Sequence, residues 1–502
     1  MTKRLGEMSG KNNSRDWWRM MKDGPAIEQM LIPTKYTDLD DGVDKYKMES
    51  WPVMDPHSIA HFLFEFAGLK IPTGSLREYW EFNSEHGEHW AQGVPSDTVP
   101  LGVYGDGARV NTKFGSINLI GIYFNIPLWK PQSVRASRFL VAVLPEEKCW
   151  RHHTLNTILR RVTWSLNSLM DGFHPRNEPF GEDLPKHLAQ LAGKQFKYKC
   201  MLTEIRGDWQ WHKRTFRFWQ CSWNGKKVCY WCRALSQSND PSDLYWSFEN
   251  NNWDASHFTK GEFLEERMPP AGICPYIGLR NFHPSLIRWC LMHVVHLGIL
   301  FVCNGSGLNL LLRCGYFGSD GVSVAIKLAR AFEMFKAWTS ANKIECSQPP
   351  FTERMIFKKN SDILFTAKAY NGRVVLHWLS HEVYVASTSP GFVACDHRFP
   401  VIAAALLRMT RFLSGLEQAG RYLRLGNLCV CGGLGSYAAT ILSIVVYCCH
   451  EMVHQCQRPK GLEFIRFDPE VLYTYSIMHS HDRKPLGLTK NLGPFLMMAA
   501  SS

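Results

Sequence analysis

The sequence lacks an internal repeat, a cysteine framework and, behind its early charges, an apolar segment of the kind that marks a secretory signal. Sixteen Cys are scattered through 502 residues, and most sit in apolar runs such as Val446 to Cys449. That usage fits a reducing compartment, where a free thiol behaves as a small core hydrophobe. With 45% hydrophobic and 20% charged residues, disorder, collagen-like structure and a small disulfide scaffold are excluded. The same figures allow one large core or several domains. What is present in excess is positive charge and tryptophan: 57 Lys and Arg stand against 45 Asp and Glu, for a net +12, with 18 Trp. Basic charge with many aromatics suits a polyanionic partner, and equally describes a solvated basic surface.

Patterning divides the chain into 1–50, a polar and loosely ordered lead-in; 51–235, the first part of an α/β core; 236–425, an insertion and helical region; and 426–502, an apolar helix and irregular tail. Residues 56–66 carry apolar positions at helical spacing after Asp55, which is placed to cap them. Three strand-like runs follow, at Leu101–Tyr104, Ile117–Phe124 and Phe139–Leu144. Leu155, Ile158, Leu159, Val162, Leu166 and Leu169 then mark one face of a helix from His153 to Met170, and a fourth strand is expected over Phe196–Ile205. Helical spacing returns at Ser285–Leu300, Ser323–Asn342 and Val401–Leu423, with a β-like segment at Ile363–Leu379 whose Asn371-Gly372 reads as a hairpin turn. Leu425 to Cys449 is 25 residues without a charge. It reads as a buried core helix, with a membrane span as the alternative.

The order strand, strand, strand, helix, strand puts Asp106 at the end of the first strand and Asp208 just after the fourth. In a mixed sheet whose first and fourth strands are neighbours, the two carboxylates face each other across a cleft. There they could share Mg²⁺ or Mn²⁺ for phosphodiester cleavage. Glycines on both sides of Asp106 would let a bulky ligand approach it, although Gly-Asp-Gly is also a common turn. Asp208 reads equally as a helix N-cap.

Residues 151–238 hold 15 Lys and Arg against 6 Asp and Glu, so +9 of the net charge lies within 88 residues. Arg206, Lys213, Arg214, Arg217, Lys226, Lys227 and Arg233 are the candidates for gripping backbone phosphate. The aromatics among them either stack on bases or fill the core. Cys229 and Cys232 form a metal-type pair, and Cys290, His293 and His296 offer a second half for a structural Zn²⁺ site. The alternative is buried cysteines and hydrogen-bonded core histidines; a thioredoxin-like redox pair is disfavoured, because no strand–Cys-x-x-Cys–helix pattern surrounds it.

Gly105-Asp106-Gly107 and Gly207-Asp208-Trp209 resemble the motifs of cut-and-paste transposases with a ribonuclease-H-like DDE/DDD core. Several eukaryotic superfamilies of these enzymes carry a Cys/Asp-x-x-His signature downstream, to which Cys290-Leu-Met-His293, followed by His296, is similar. The set looks most like CACTA-type and related transposase-derived proteins. The blocks at 347–354 and 366–373 also look familiar from that group, and the resemblance covers about 50–425. It implies a ribonuclease-H-like mixed sheet, a basic Cys-containing insertion and a largely helical C-terminal part. It also implies that Asp106 and Asp208 are the first two metal-binding carboxylates of DNA strand cleavage and transfer. The partners implied are DNA and further copies of the chain, in an intracellular, nuclear setting, with no small-molecule substrate and no membrane. A third acid should arrive late. Here the sequence departs from the pattern: Glu417 and Glu451 match no motif, the expected acidic block is missing, and no N-terminal DNA-binding finger is visible. Two alternatives therefore stand beside an active enzyme: a non-enzymatic nucleic-acid-binding remnant, and a protein anchored to a membrane by residues 425–449.

Overall fold

The computed structural model describes residues 24–418 apart from 86–87, 113–114, 132–136, 223–224, 245–255, 270–271, 358–362 and 397. Glu451, Trp223 and the uncharged 425–449 run lie outside the described residues. The chain is a mixed α/β protein with two large apolar cores and two smaller clusters among the described residues. An antiparallel hairpin, β1 (Glu28–Thr37) and β2 (Asp44–Val53), comes first, within the stretch expected to be a loose lead-in. It is anchored by Met30, Ile32 and Val53, while most of its remaining side chains stay at least partly exposed. So few buried positions explain why the sequence pattern is weak.

Helix α1 (Pro56–His61) continues into a wider turn at Phe62–Phe66, and α2 spans Thr73–Glu85. Asp55 occupies the N-cap position of α1 but makes no side-chain cap. Its two oxygens instead receive Arg161 Nε and a terminal guanidinium nitrogen, both at 2.7 Å. The central sheet is built from β3 (Val99–Thr112), β4 (Gly115–Asn125), β5 (Arg138–Pro145), β6 (Cys200–Gly207) and β7 (Ile287–Trp289). Its spatial order is β5-β4-β3-β6-β7. The pairings of β4 with β3 and with β5 are antiparallel; those of β6 with β3 and with β7 are parallel. A parallel neighbour needs a crossover, and helix α3 (His153–Asp171) supplies it between β5 and β6. All six apolar residues of its predicted stripe are buried, and Gly172 ends it in a left-handed conformation at φ 85°.

The strand boundaries differ from expectation in one way that matters. β3 runs on to Thr112, so Asp106 lies inside the strand and not at its end. Residues 107–111 are exposed, forming a hairpin arm with β4 that carries little apolar signal.

After α4 (Trp209–Phe216), α5 (Lys260–Arg267) and the short β7, the chain becomes helical: α6 (Met292–Arg313), α7 (Val324–Ala341), α8 (Ala369–Ser387) and α9 (Phe399–Gln418). They enclose the second core around Trp378, which touches Phe317, Phe335 and Phe351. The expected hairpin at Asn371-Gly372 is instead the first turn of α8. A type I′ turn needs positive φ at both residues, and neither has it. Val374, Val375, Trp378, Leu379, Val383 and Ala386 are buried at helical spacing, and their burial outweighs the local turn preference. The expected helix at 285–300 likewise opens on a tight turn at Pro284–Leu286 and the strand β7, and is helical only from Met292. Helix α6 is long and apolar enough to cross a membrane, with a mean hydropathy of 1.6, but 61% of that window is buried inside the protein.

Candidate functional site

The last registered pair between β3 and β6 is Tyr104 with Arg206. Asp106 and Asp208 each stand two residues further on, at the same edge of two adjacent parallel strands, and both are partly exposed. Thr203 is an extra residue in β6, since Leu101 pairs with Leu202 but Gly102 with Glu204. Its hydroxyl donates to Leu101 O at 3.1 Å and accepts from Tyr79 at 2.8 Å. This bulge leaves Glu204 and Arg206 alongside Gly102 and Tyr104 on one face.

Each aspartate has one oxygen engaged. Tyr104 Oη donates to Asp106 Oδ2 at 2.7 Å, and the Trp211 backbone N–H donates to Asp208 Oδ1 at 2.6 Å. Asp208 is therefore the N-cap of α4, as one reading of its sequence anticipated. Burial, reinforced by the Asp106 hydrogen bond, pushes the Tyr104 hydroxyl well above its usual range, so it stays a donor. Arg138 lies over the Tyr104 ring at 4.7 Å. The other oxygens, Asp106 Oδ1 and Asp208 Oδ2, take part in no hydrogen bond or ion pair among the described residues. Carboxylate oxygens are hard donors of the kind Mg²⁺ and Mn²⁺ take, and both residues are partly exposed.

The indole of Trp211 lies on the opposite face, against Gly105 and Gly207. A β-carbon built on either glycine would fall inside that ring. Gly105 is thus required by packing beneath the site, whereas at Gly107 the nearest atom to such a carbon is 4.0 Å away.

His293 and Cys290 are neighbours where β7 gives way to α6. The Cys290 thiol raises the imidazole's proton affinity, and the charges of Asp208 and Asp106 act in the same direction. Burial alone would push the Cys290 thiol up; His293, with local backbone N–H groups, brings it below its usual value. His296, one turn on, faces different neighbours. Burial and Arg373 lower its proton affinity, and Glu417, itself paired with Arg373, opposes them.

Cys229 and Cys232 share one tight loop, in which the Trp231 N–H donates to Cys229 Sγ at 3.3 Å. Of the proposed Zn²⁺ ligands, Cys229 thus lies with Cys232 and Cys290 with His293, while His296 responds to Arg373 and Glu417 instead. Among the described residues, no group of three or more His, Cys, Asp or Glu side chains is arranged to hold a metal ion.

The basic candidates divide similarly. Arg206 pairs with Glu204, Arg214 with Glu146, and Arg233 with Glu262 and Glu266, while Arg217 donates to Gly272 O. Lys213 and Lys226 are exposed and Lys227 partly so, with no ion pair among the described residues. Three of the intervening aromatics, Trp209, Phe218 and Tyr230, stack with one another and with Trp289 at centroid spacings of 4.7–6.2 Å.

Sequence reasoning missed Tyr104, Trp211 and Arg138. The first was detectable, because residues two apart in a strand share a face. Arg138 reaches the site from β5, two strands away, and has no local signature. The sequence matches no family model and no curated protein.

Proposed function

We propose that the protein is derived from a transposase and is built on a ribonuclease-H-like core, with its chemistry directed at DNA phosphodiesters. The observation that supports this reading is that Asp106 and Asp208 each stand two residues beyond the last registered pair of adjacent parallel strands, with His293 of the Cys290–His293 motif within charge reach of both. A sheet whose first and fourth strands are neighbours, joined through a helix, is what the reading requires, and the order β5-β4-β3-β6-β7 supports it. Asp106 Oδ1 and Asp208 Oδ2 would hold Mg²⁺ or Mn²⁺. A bound ion there neutralises phosphate charge and makes water more acidic. Tyr104 and the α4 N-terminus fix the two carboxylates, and Lys213, Lys226 and Lys227 meet backbone phosphate. The protein would act in the nucleus, on DNA and as more than one copy of the chain.

A second reading, a nucleic-acid-binding remnant without catalysis, is favoured by one observation. Glu417 is committed to Arg373 and joins neither aspartate. A nicking assay separates the two. Full-length protein is incubated with supercoiled plasmid in Mg²⁺ or Mn²⁺, with chelated controls. Metal-dependent nicking lost in both Asp106→Asn and Asp208→Asn supports the enzyme, and nicking indifferent to both overturns it. Salt-sensitive DNA binding without nicking supports the remnant.

A further inference from the structure

We propose that a cleft at the starting edge of β3 and β6 binds a small phosphomonoester with an aromatic or aliphatic body. The inference is independent of the DNA reading. Thr98 and Lys199, which line the cleft, immediately precede the two strands, at the end opposite Asp106 and Asp208. The Val99 N–H donates to Lys199 O at 2.9 Å and holds the two strand starts side by side. The cleft has a volume of about 470 Å³, within the range of small-molecule sites.

One of the smaller apolar clusters forms its apolar lining. Trp90 and Met201 are buried, Val94 and Met170 pack against their cluster, and all four line the cleft together with the buried Phe282. Two cations join this apolar surface. Lys199 stands just before β6, and Lys260 opens α5 with its Nζ 5.9 Å from the Phe282 ring centroid. Among the described residues, neither lysine has an ion pair, and no Asp or Glu lines the cleft. Arg280 lines it as well, but is already paired with Asp171.

Thr98 supplies a polar group whose backbone is satisfied and whose side chain is not. Its N–H donates to Pro95 O at 3.0 Å and its carbonyl accepts from Trp80 Nε1 at 2.8 Å. The residue is 1% exposed, yet its hydroxyl has no hydrogen bond among the described residues. A buried hydroxyl without a partner is costly, and a ligand oxygen in the cleft removes that cost. Charge then selects the ligand. Two unopposed ammonium groups match a phosphomonoester, which carries about −1.5 to −2 at neutral pH and three acceptor oxygens, better than a carboxylate with its single charge. The phosphate meets Lys199 and Lys260, and the body covers the Trp90, Met170 and Met201 surface. A bare phosphate, or the backbone phosphate of DNA, would engage the lysines and leave that surface uncovered.

The test is calorimetry on the native full-length chain with phenyl phosphate, inorganic phosphate and phenol. A chelator is present throughout, so that no metal ion holds phosphate at the aspartates. Phenyl phosphate should bind at one site, at least about tenfold more tightly than either inorganic phosphate or phenol. Lys199→Ala and Lys260→Ala should each weaken it about tenfold. Thr98→Val should weaken it about threefold or more, and Thr98→Ser should restore it. The proposal is overturned if phenyl phosphate does not bind, if inorganic phosphate or phenol binds as tightly, or if both lysine variants bind it like wild type. Should Thr98→Val fail to fold, the lysine variants decide alone, since both change side chains that are at least partly exposed.

Discussion

Trp211 lies flat against Gly105, directly beneath the strand position that carries Asp106. The same ring covers Gly207, whose added β-carbon would also stand 3.0 Å from Gly105 O. Neither neighbour yields easily, since one is backbone and the other a buried indole carried by the first turn of α4. Gly105→Ala and Gly207→Ala should each cost about 1–3 kcal/mol in denaturant unfolding, the range for overpacking a filled core. Gly107→Ala meets open space and should be neutral or stabilising by up to about 1 kcal/mol. Equal effects at Gly105 and Gly107 would show that Trp211 does not press on the strand.

Asp208 has two jobs that different substitutions separate. Its Oδ1 caps α4, and its Oδ2 is the candidate metal ligand. Asn preserves the cap and removes the charge, so Asp208→Asn should unfold within about 0.5 kcal/mol of wild type. Asp208→Ala loses the cap as well and should cost about 0.5–2 kcal/mol. Mn²⁺ binding, followed by calorimetry, should be lost in both. Retained binding in Asp208→Asn would mean that this residue is a cap only.

The sequence carried the positions whose burial follows a simple period and hid those set by contacts across the sheet. The α3 stripe at Leu155, Ile158, Leu159, Val162, Leu166 and Leu169 was legible because one helix face meets one core. The adjacency of β3 and β6, the strands that lead to Asp106 and Asp208, followed from counting strands. The bulge at Thr203 did not, because it depends on pairing between distant segments. Asn371-Gly372 misled for the opposite reason: a strong local turn signal lies inside a helix whose buried face, from Val374 to Ala386, overrides it. At the site, glycines that suggested ligand access are in part demands of Trp211. The candidate Zn²⁺ ligands group by spacing in sequence, and spacing does not say that His293 and His296 face different neighbours.

Three histidines meet behind the sheet. His57 and His174 lie 6.3 Å apart, and His61 and His174 4.7 Å, between ring centroids. Burial, with Arg161 and His61 nearby, holds His57 at about 3; burial with His61, His57 and Lys194 does the same for His174. Burial also lowers His61, against the opposing pull of Glu65. All three are neutral in the fold at neutral pH, whereas the unfolded chain protonates them near 6.5. The unfolded state therefore binds more protons as pH falls, and stability is lost from about 6.5 downward toward 3. Each histidine contributes a slope of up to about 1.4 kcal/mol per pH unit. Urea unfolding between pH 7 and 4 should show this slope, and it should be shallower in His57→Gln. An unchanged slope would assign the acid sensitivity to other groups.

The concentration of positive charge at 151–238 is partly cancelled within the fold, and this makes the lysines more informative than the arginines. Arg206, Arg214 and Arg233 already face carboxylates, so a phosphate must compete with Glu204, Glu146 or the Glu262–Glu266 pair. Lys213, Lys226 and Lys227 have no such competitor among the described residues. Neutralising a phosphate releases counterions, giving a log–log salt slope of about −0.9 per contact on duplex DNA. Lys213→Ala, Lys226→Ala and Lys227→Ala should each make that slope shallower by up to about 0.9, measured by fluorescence anisotropy across a salt series. Arg233→Ala should change it less, because the arginine's charge is already spent on two glutamates. A larger effect from Arg233 than from the lysines would place the DNA path along α5, whose Glu262 and Glu266 would then have to turn away.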